Sequence, residues 1–142
     1  MDARVYNSTP CNELQSYEMQ DLHYTLWQYM YETGASEKIE FFLKNGFSHR
    51  AASIPMHSCY ACEWAQRQNR GRTAQGSHCK HCPIQWPEEC YERSAFYCAH
   101  WMSPYNQWDE VDVDMYDSDE DAREARRQYA REMLDLDWEI QD

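Results

Sequence analysis

Apolar residues recur at three- and four-residue steps through positions 12–33, where Leu14, Met19, Leu22, Leu26, Tyr29 and Met30 make one stripe. That period predicts an amphipathic helix. Tyr17, Tyr24, Trp27 and Tyr31 cover much of the remaining circumference, so contact from more than one side is expected. Gly34 ends the helix. Ser36 is placed to cap a second one, with Ile39, Phe42 and Leu43 as its apolar face. Asn45-Gly46 stops it, and a left-handed Gly46 would let Phe47 fold back onto Phe42. Residues 12–46 read as a helical hairpin.

The period then lapses. Residues 48–58 read as a loop, and Gly71 and Gly76 mark another. A short helix is expected over Glu63–Arg70. Pro83 and Pro87 bracket Ile84-Gln85-Trp86, which should be extended. Pro87 suits the first position of a helix, and Glu88 and Glu89 complement its positive end. Cys90, Ser94, Tyr97 and Trp101 would share one face of it, with Met102-Ser103-Pro104 as its end. Val111, Val113 and Met115 alternate with acids, so a short edge strand is an option there. Ser118 and Asp121 resemble a capping box with aspartate in place of glutamate. The helix after them carries Ala122, Ala125, Tyr129, Met133, Leu136 and Ile140 at helical spacing. A disordered tail needs no such stripe, so this helix should dock on its own core or on a partner.

Composition bounds the class. The 142 residues suit one compact domain, or a small domain with an extension, and 15% aromatic content supplies enough apolar area for a core. Only 4 Gly are present, which disfavours tight-turn all-β architectures. No segment approaches the roughly 20 apolar residues of a membrane helix. The first ten residues lack an apolar signal region, so a cytoplasmic location is expected. Seven cysteines, an odd number, cannot all pair within the chain.

Charge is unevenly spread. The net charge is −3 over residues 1–58, +1 over 59–108 and −10 over 109–142. Affinity for a nucleic-acid backbone rests on clustered Lys and Arg, so only the middle could supply it.

That middle contains two C-x-x-C pairs, Cys59/Cys62 and Cys79/Cys82, separated by 16 residues. Each pair presents two thiolates from one tight turn, and two such turns complete a tetrahedral Zn²⁺ shell with Zn–S of about 2.3 Å. The spacing predicts one structural zinc on Cys59, Cys62, Cys79 and Cys82. Cys90 is the alternate ligand, with His57, His78 and His81 also within reach by sequence. Cys11 and Cys98 read as small core residues. His23, His49 and His100 read as ordinary polar residues on or near the core. A redox C-x-x-C would want a βαβ context that is missing, and an iron–sulfur cluster is a minor alternative. Four thiolates leave no position for a catalytic water.

Arg67, Arg70, Arg72 and Lys80 lie between Trp64 and Trp86. Arginines beside exposed aromatics can contact nucleic acid or a partner. They can equally compensate the −2 of a four-thiolate zinc, or pair with acids elsewhere. Residues 109–121 hold eight acids and no base: Asp109, Glu110, Asp112, Asp114, Asp117, Asp119, Glu120 and Asp121. Asp117, Asp119 and Asp121 have the 1-3-5 spacing of a calcium loop. Ala122 and Gln128, however, stand where that loop needs glycine and glutamate. An acidic linker is the default. The sharper reading is a partner surface that imitates phosphates in a basic groove. No phosphate loop, nucleophile elbow or H-E-x-x-H is present, so an enzyme is not expected; a metal-dependent nuclease is the least favoured alternative.

The run C-x-x-C-E-W-A (59–65), C-x-x-C-P-I-x-W (79–86), Cys90 and Tyr97-x-x-x-Trp101 resembles a family of small bacteriophage zinc-knuckle proteins with no assigned reaction. Leu26-Trp27 fits the L-W patch of that family's first helix. The resemblance spans roughly residues 22–101 and omits the acidic extension after Trp108. It implies a phage protein acting in the host cytoplasm, with zinc on the matching cysteines.

Together these features predict a mainly α protein, with a small α+β fold as the alternative. A helical hairpin (1–46) would pack on a four-cysteine zinc knuckle with its following helix (47–108). An acidic linker and C-terminal amphipathic helix (109–142) would complete it. The expected function is a non-enzymatic, zinc-stabilised protein-binding module that inhibits or modulates a host protein, a defence or nucleic-acid-processing protein among the candidates. The alternative is nucleic-acid binding through the basic loop 66–81. No membrane partner is expected, and the oligomeric state is left open.

Overall fold

The computed structural model describes residues 2–57, 59–69, 82–91 and 97–139. The fold is mainly α. In chain order come α1 (Ser16–Thr33), α2 (Ile39–Lys44), α3 (His49–His57), α4 (Tyr60–Asn69), α5 (Pro104–Asp109) and α6 (Asp119–Leu134). Short 3-10 turns at Ala3–Tyr6, Cys11–Glu13, Glu88–Tyr91, Tyr97–Ala99 and Val113–Met115 punctuate them. Among the described residues there is no strand. An isolated antiparallel bridge joins Ile84 to Trp138.

The stripe on α1 is the centre of the molecule. Met19, Leu22, Leu26, Trp27 and Met30 are all buried. Each large side chain so covered contributes roughly 1.5–3 kcal/mol of apolar burial. Trp27 meets Trp108 edge-on with 5.1 Å between ring centroids. The largest packing surfaces of α1 are against α6 on one side and α4 on another, which accounts for its broad apolar circumference. The helix begins at Ser16 rather than residue 12, because Cys11–Glu13 forms a 3-10 turn and Leu14 and Gln15 are extended. The Gln15 N–H donates to the Glu18 carboxylate at 2.8 Å, covering a backbone donor at that end.

Gly34 closes α1 with φ 68° and donates to the Met30 carbonyl at 2.8 Å. Its own carbonyl accepts Arg126 Nε–H from α6 at 2.8 Å. Arg126 is buried, so a cation from a distant helix meets the negative end of the α1 dipole. The stop on α2 follows the sequence expectation. Gly46 has φ 67°, the Phe47 N–H bonds the Phe42 carbonyl at 3.0 Å, and their rings lie 5.1 Å apart.

Several expectations are revised. Residues 48–58 were expected as a loop, yet 49–57 are helical. The Ser48 hydroxyl accepts the Ala51 N–H at 3.2 Å and its carbonyl accepts the Ala52 N–H at 3.0 Å. Ala51 and Ala52 bury too little to register as a stripe, and Pro55 lies inside the helix, where a proline reads in sequence as a break. Ser36 is not the cap of α2; Lys38 holds that position. Ser103-Pro104 starts α5 rather than simply ending an element. The Ser103 hydroxyl accepts the Asn106 N–H at 3.0 Å and Pro104 takes the first turn. Where an edge strand was an option, Val113–Met115 forms a 3-10 turn whose entry is fixed by the Asp112 carboxylate accepting the Asp114 N–H. The stretch expected as a helix from Pro87 to Trp101 contains two 3-10 turns in its described parts.

The helix after Ser118 docks on its own core. The Ser118 hydroxyl caps it by accepting the Asp121 N–H at 3.1 Å, and Ala122, Arg126, Ala130 and Met133 are buried. The Tyr24 hydroxyl donates to the Leu136 carbonyl at 2.7 Å, anchoring the chain just past its end.

Candidate metal centre and acidic face

Cys59 stands immediately before α4, where four backbone N–H groups lack intrahelical partners. Its carbonyl accepts the Glu63 N–H at 3.1 Å, and its sulfur accepts the Cys62 N–H at 3.2 Å. The first C-x-x-C pair is therefore a helix start with a sulfur as the cap acceptor. That position favours negative charge on sulfur. Cys82 arrives on the segment fixed by the Ile84–Trp138 bridge. There the Gln85 N–H bonds the Asp137 carbonyl at 2.9 Å and the Glu139 N–H bonds the Pro83 carbonyl at 2.7 Å.

Cys59, Cys62 and Cys82 line one cavity of about 10 Å³, the space of a single small sphere. Cys98 lines it too, together with Trp86 and Tyr97. Cys98 was expected as a plain core residue; it reaches this cavity from the Tyr97–Ala99 turn. Its backbone carbonyl accepts the Ser103 hydroxyl at 2.5 Å, which ties that turn to the start of α5. A hydrogen bond with Cys62, then burial, then the neighbouring Cys62, Cys82 and Cys98 sulfurs hold the Cys59 thiol well above the ordinary range. Such a group of thiols resists ionising unless a cation shares the space.

Lys38 is a cation within electrostatic reach of these thiols. It is 7% exposed, with Nζ 5.2 Å from the Tyr105 ring centroid. Burial lowers its pKa, while Cys59, Cys62, Asp109 and Cys98 act in the opposite direction. Lys38 lies 21 positions before Cys59, and only the packing of the α2 entry against this region reveals it.

Among the described residues, no group of three or more His, Cys, Asp or Glu side chains is placed to hold a metal ion. Cys79, Arg70, Arg72, Lys80, His78 and His81 lie outside the described residues, as does the side chain of His57. Cys90 is fully buried in the core and is not among the residues lining the thiol cavity. Cys11 is also fully buried in the core.

Arg67 is committed inside the protein. Its guanidinium donates to the Leu14 carbonyl at 2.5 Å and the Cys11 carbonyl at 2.6 Å, and its Nε lies 3.5 Å from Glu63. It fastens α4 to the turn before α1, and those donors are not turned to an outside phosphate.

All eight acids of 109–121 are exposed. Glu120 pairs with Arg123 at 3.9 Å and Arg127 at 3.6 Å. Asp109 lies within electrostatic reach of Lys38. Val113 and Met115, 44% and 77% exposed, sit among the carboxylates. The stretch is held at both ends, by α5 before it and the Ser118 cap after it. Among the described residues, no helix is long and apolar enough to cross a membrane.

No family model matches the chain, and neither a curated protein nor a solved structure is matched by it.

Proposed function

We propose that this protein is a non-enzymatic binding module, a helical scaffold stapled by one structural zinc that presents the acidic face 109–121 to a basic surface of a partner protein. The observation that carries this reading is the exposure of all eight carboxylates on a segment anchored at both ends. Opposed charges across an interface accelerate encounter and fix register, and exposed Val113 and Met115 add apolar area at the same place. Fixed carboxylates can occupy a groove built for phosphates. The phage-like sequence pattern makes a host protein, in the host cytoplasm, the natural target. For the zinc, support comes from Cys59, Cys62 and Cys82 on one small cavity, with a fourth thiolate to complete the shell.

The test is quantitative capture from host lysate with the full zinc-loaded chain and with a variant carrying Asp112→Asn, Asp114→Asn, Asp117→Asn and Asp119→Asn. A partner retained by the wild-type chain at low salt, and lost both in the variant and at about 0.5 M salt, is the expected result. Equal recovery by both chains would refute the acidic face as the binding surface. Elemental analysis should give about one zinc per chain, and its absence would remove the staple from the reading.

A further inference from the structure

The geometry points to Cys98 as a ligand: we propose that Cys59, Cys62, Cys82 and Cys98 close a four-thiolate zinc site. This inference rests on the zinc staple proposed above and deepens it by naming the donor that sequence spacing does not supply.

Three features carry it. Cys98 lines the same cavity as Cys59, Cys62 and Cys82, and the space between them is about 10 Å³. The four sulfurs come from three separately fixed places. Cys59 and Cys62 are set by the start of α4, where the Cys62 N–H bonds the Cys59 sulfur. Cys82 is set by the bridge to the segment around Trp138. Cys98 is set by Ser103, whose hydroxyl donates to the Cys98 carbonyl and accepts the Asn106 N–H of α5. Ser103 is fully buried, so the turn holding Cys98 is fastened from within. The third feature is charge. A zinc with four thiolates is formally −2, and the buried Lys38 lies within electrostatic reach of Cys59, Cys62 and Cys98. As placed, these side chains do not form a metal-holding group, so closing the shell requires them to move around the ion.

The consequence is architectural. A site of two C-x-x-C pairs would staple only residues 59–82. With Cys98 as a ligand, the metal also joins the start of α4 to the turn that leads into α5, the helix immediately before the acidic face.

The experiment uses the full chain loaded with Zn²⁺ or Co²⁺, alone and as Cys98→Ser and Cys79→Ser. Zinc affinity is read by chelator competition, and the number of thiolates by the Co²⁺ charge-transfer band. Cys98→Ser should lose about 10–100-fold or more in affinity and about a quarter of the band intensity. Because a variant can misfold, the zinc-loaded wild-type chain is also alkylated and mapped by mass spectrometry. Cys98 should be protected with zinc and modified after chelation. Wild-type zinc content with unchanged affinity and band in Cys98→Ser, or alkylation of Cys98 at the same rate with and without zinc, would overturn the assignment while leaving the staple standing. A wild-type chain that binds neither ion overturns the staple and this inference with it.

Discussion

His23 turns pH into a probe of the packing between α1 and the chain beyond α6. It is 1% exposed, its ring lies 5.0 Å from Tyr24 and 5.4 Å from Trp138, and its Nε2 has no hydrogen-bond partner among the described residues. Burial, reinforced by the positive charge of Lys38, lowers its pKa from 6.5 to about 3. The unfolded chain therefore takes up this proton first. Its contribution to stability is fully present above about pH 6.5 and is lost progressively as pH falls towards 3. At about 1.4 kcal/mol per pH unit below the unfolded-state pKa, His23 alone should remove roughly 2 kcal/mol between pH 6.5 and pH 4.5. Carboxylates and cysteines titrate in this range as well, so the informative quantity is a difference between chains. Urea unfolding of the wild type and of His23→Leu, followed by tryptophan fluorescence at four or five values from pH 7 to 4.5, gives two stability curves. They should diverge with acidification, the variant losing less by roughly 2–3 kcal/mol at pH 4.5. Parallel curves would refute the reasoning and place a proton acceptor or water at His23.

Four other outcomes follow from local contacts. Gly34→Ala should destabilise by roughly 2–4 kcal/mol in chemical denaturation, since it forces a left-handed alanine and places a methyl group against Arg123 Cγ and 3.0 Å from the Arg123 carbonyl. Gly46→Ala, with a similar φ but only Asn7 Nδ2 at 3.6 Å, should cost about 1–2 kcal/mol, and equal losses would contradict close α1–α6 packing. Arg67→Ala should cost roughly 2–3 kcal/mol by stranding the Leu14 and Cys11 carbonyls, while leaving any low-salt nucleic-acid gel shift unchanged. Ser118→Ala should cost about 1 kcal/mol through loss of the α6 cap, seen as a lower thermal midpoint; no change would mean that Asp121 N–H finds water at no penalty.

Much of the helical framework was legible because its signals are local. The Gly46–Phe47 fold-back and the Ser118 cap each involve residues within five positions of one another, and backbone sterics decide them. The α3 helix was missed because its capping serine precedes only two small buried alanines before Pro55. The Ser103-Pro104 pair was read as a stop, although serine followed by proline equally signals a start. That Cys98 lines the thiol cavity as well as packing on the core is not legible from spacing rules, because it follows Cys82 by sixteen positions. Lys38 was invisible for the same reason. Arg67 looked like part of a basic surface because composition does not reveal that two carbonyls near the start of α1 need donors.

The pairing of Gly34 with Arg126 spans 92 positions, and that of Tyr24 with Leu136 spans 112. Helix α6 is synthesised well after α1. At about 5–20 residues per second, α1 waits roughly 5–20 s before the helix that covers it exists. During that interval its aromatic flank is open to chaperones. Contacts between segments so far apart in sequence also slow the search for the native state. The step that seals α1 therefore comes late, and it sets the acidic face in place at the same time.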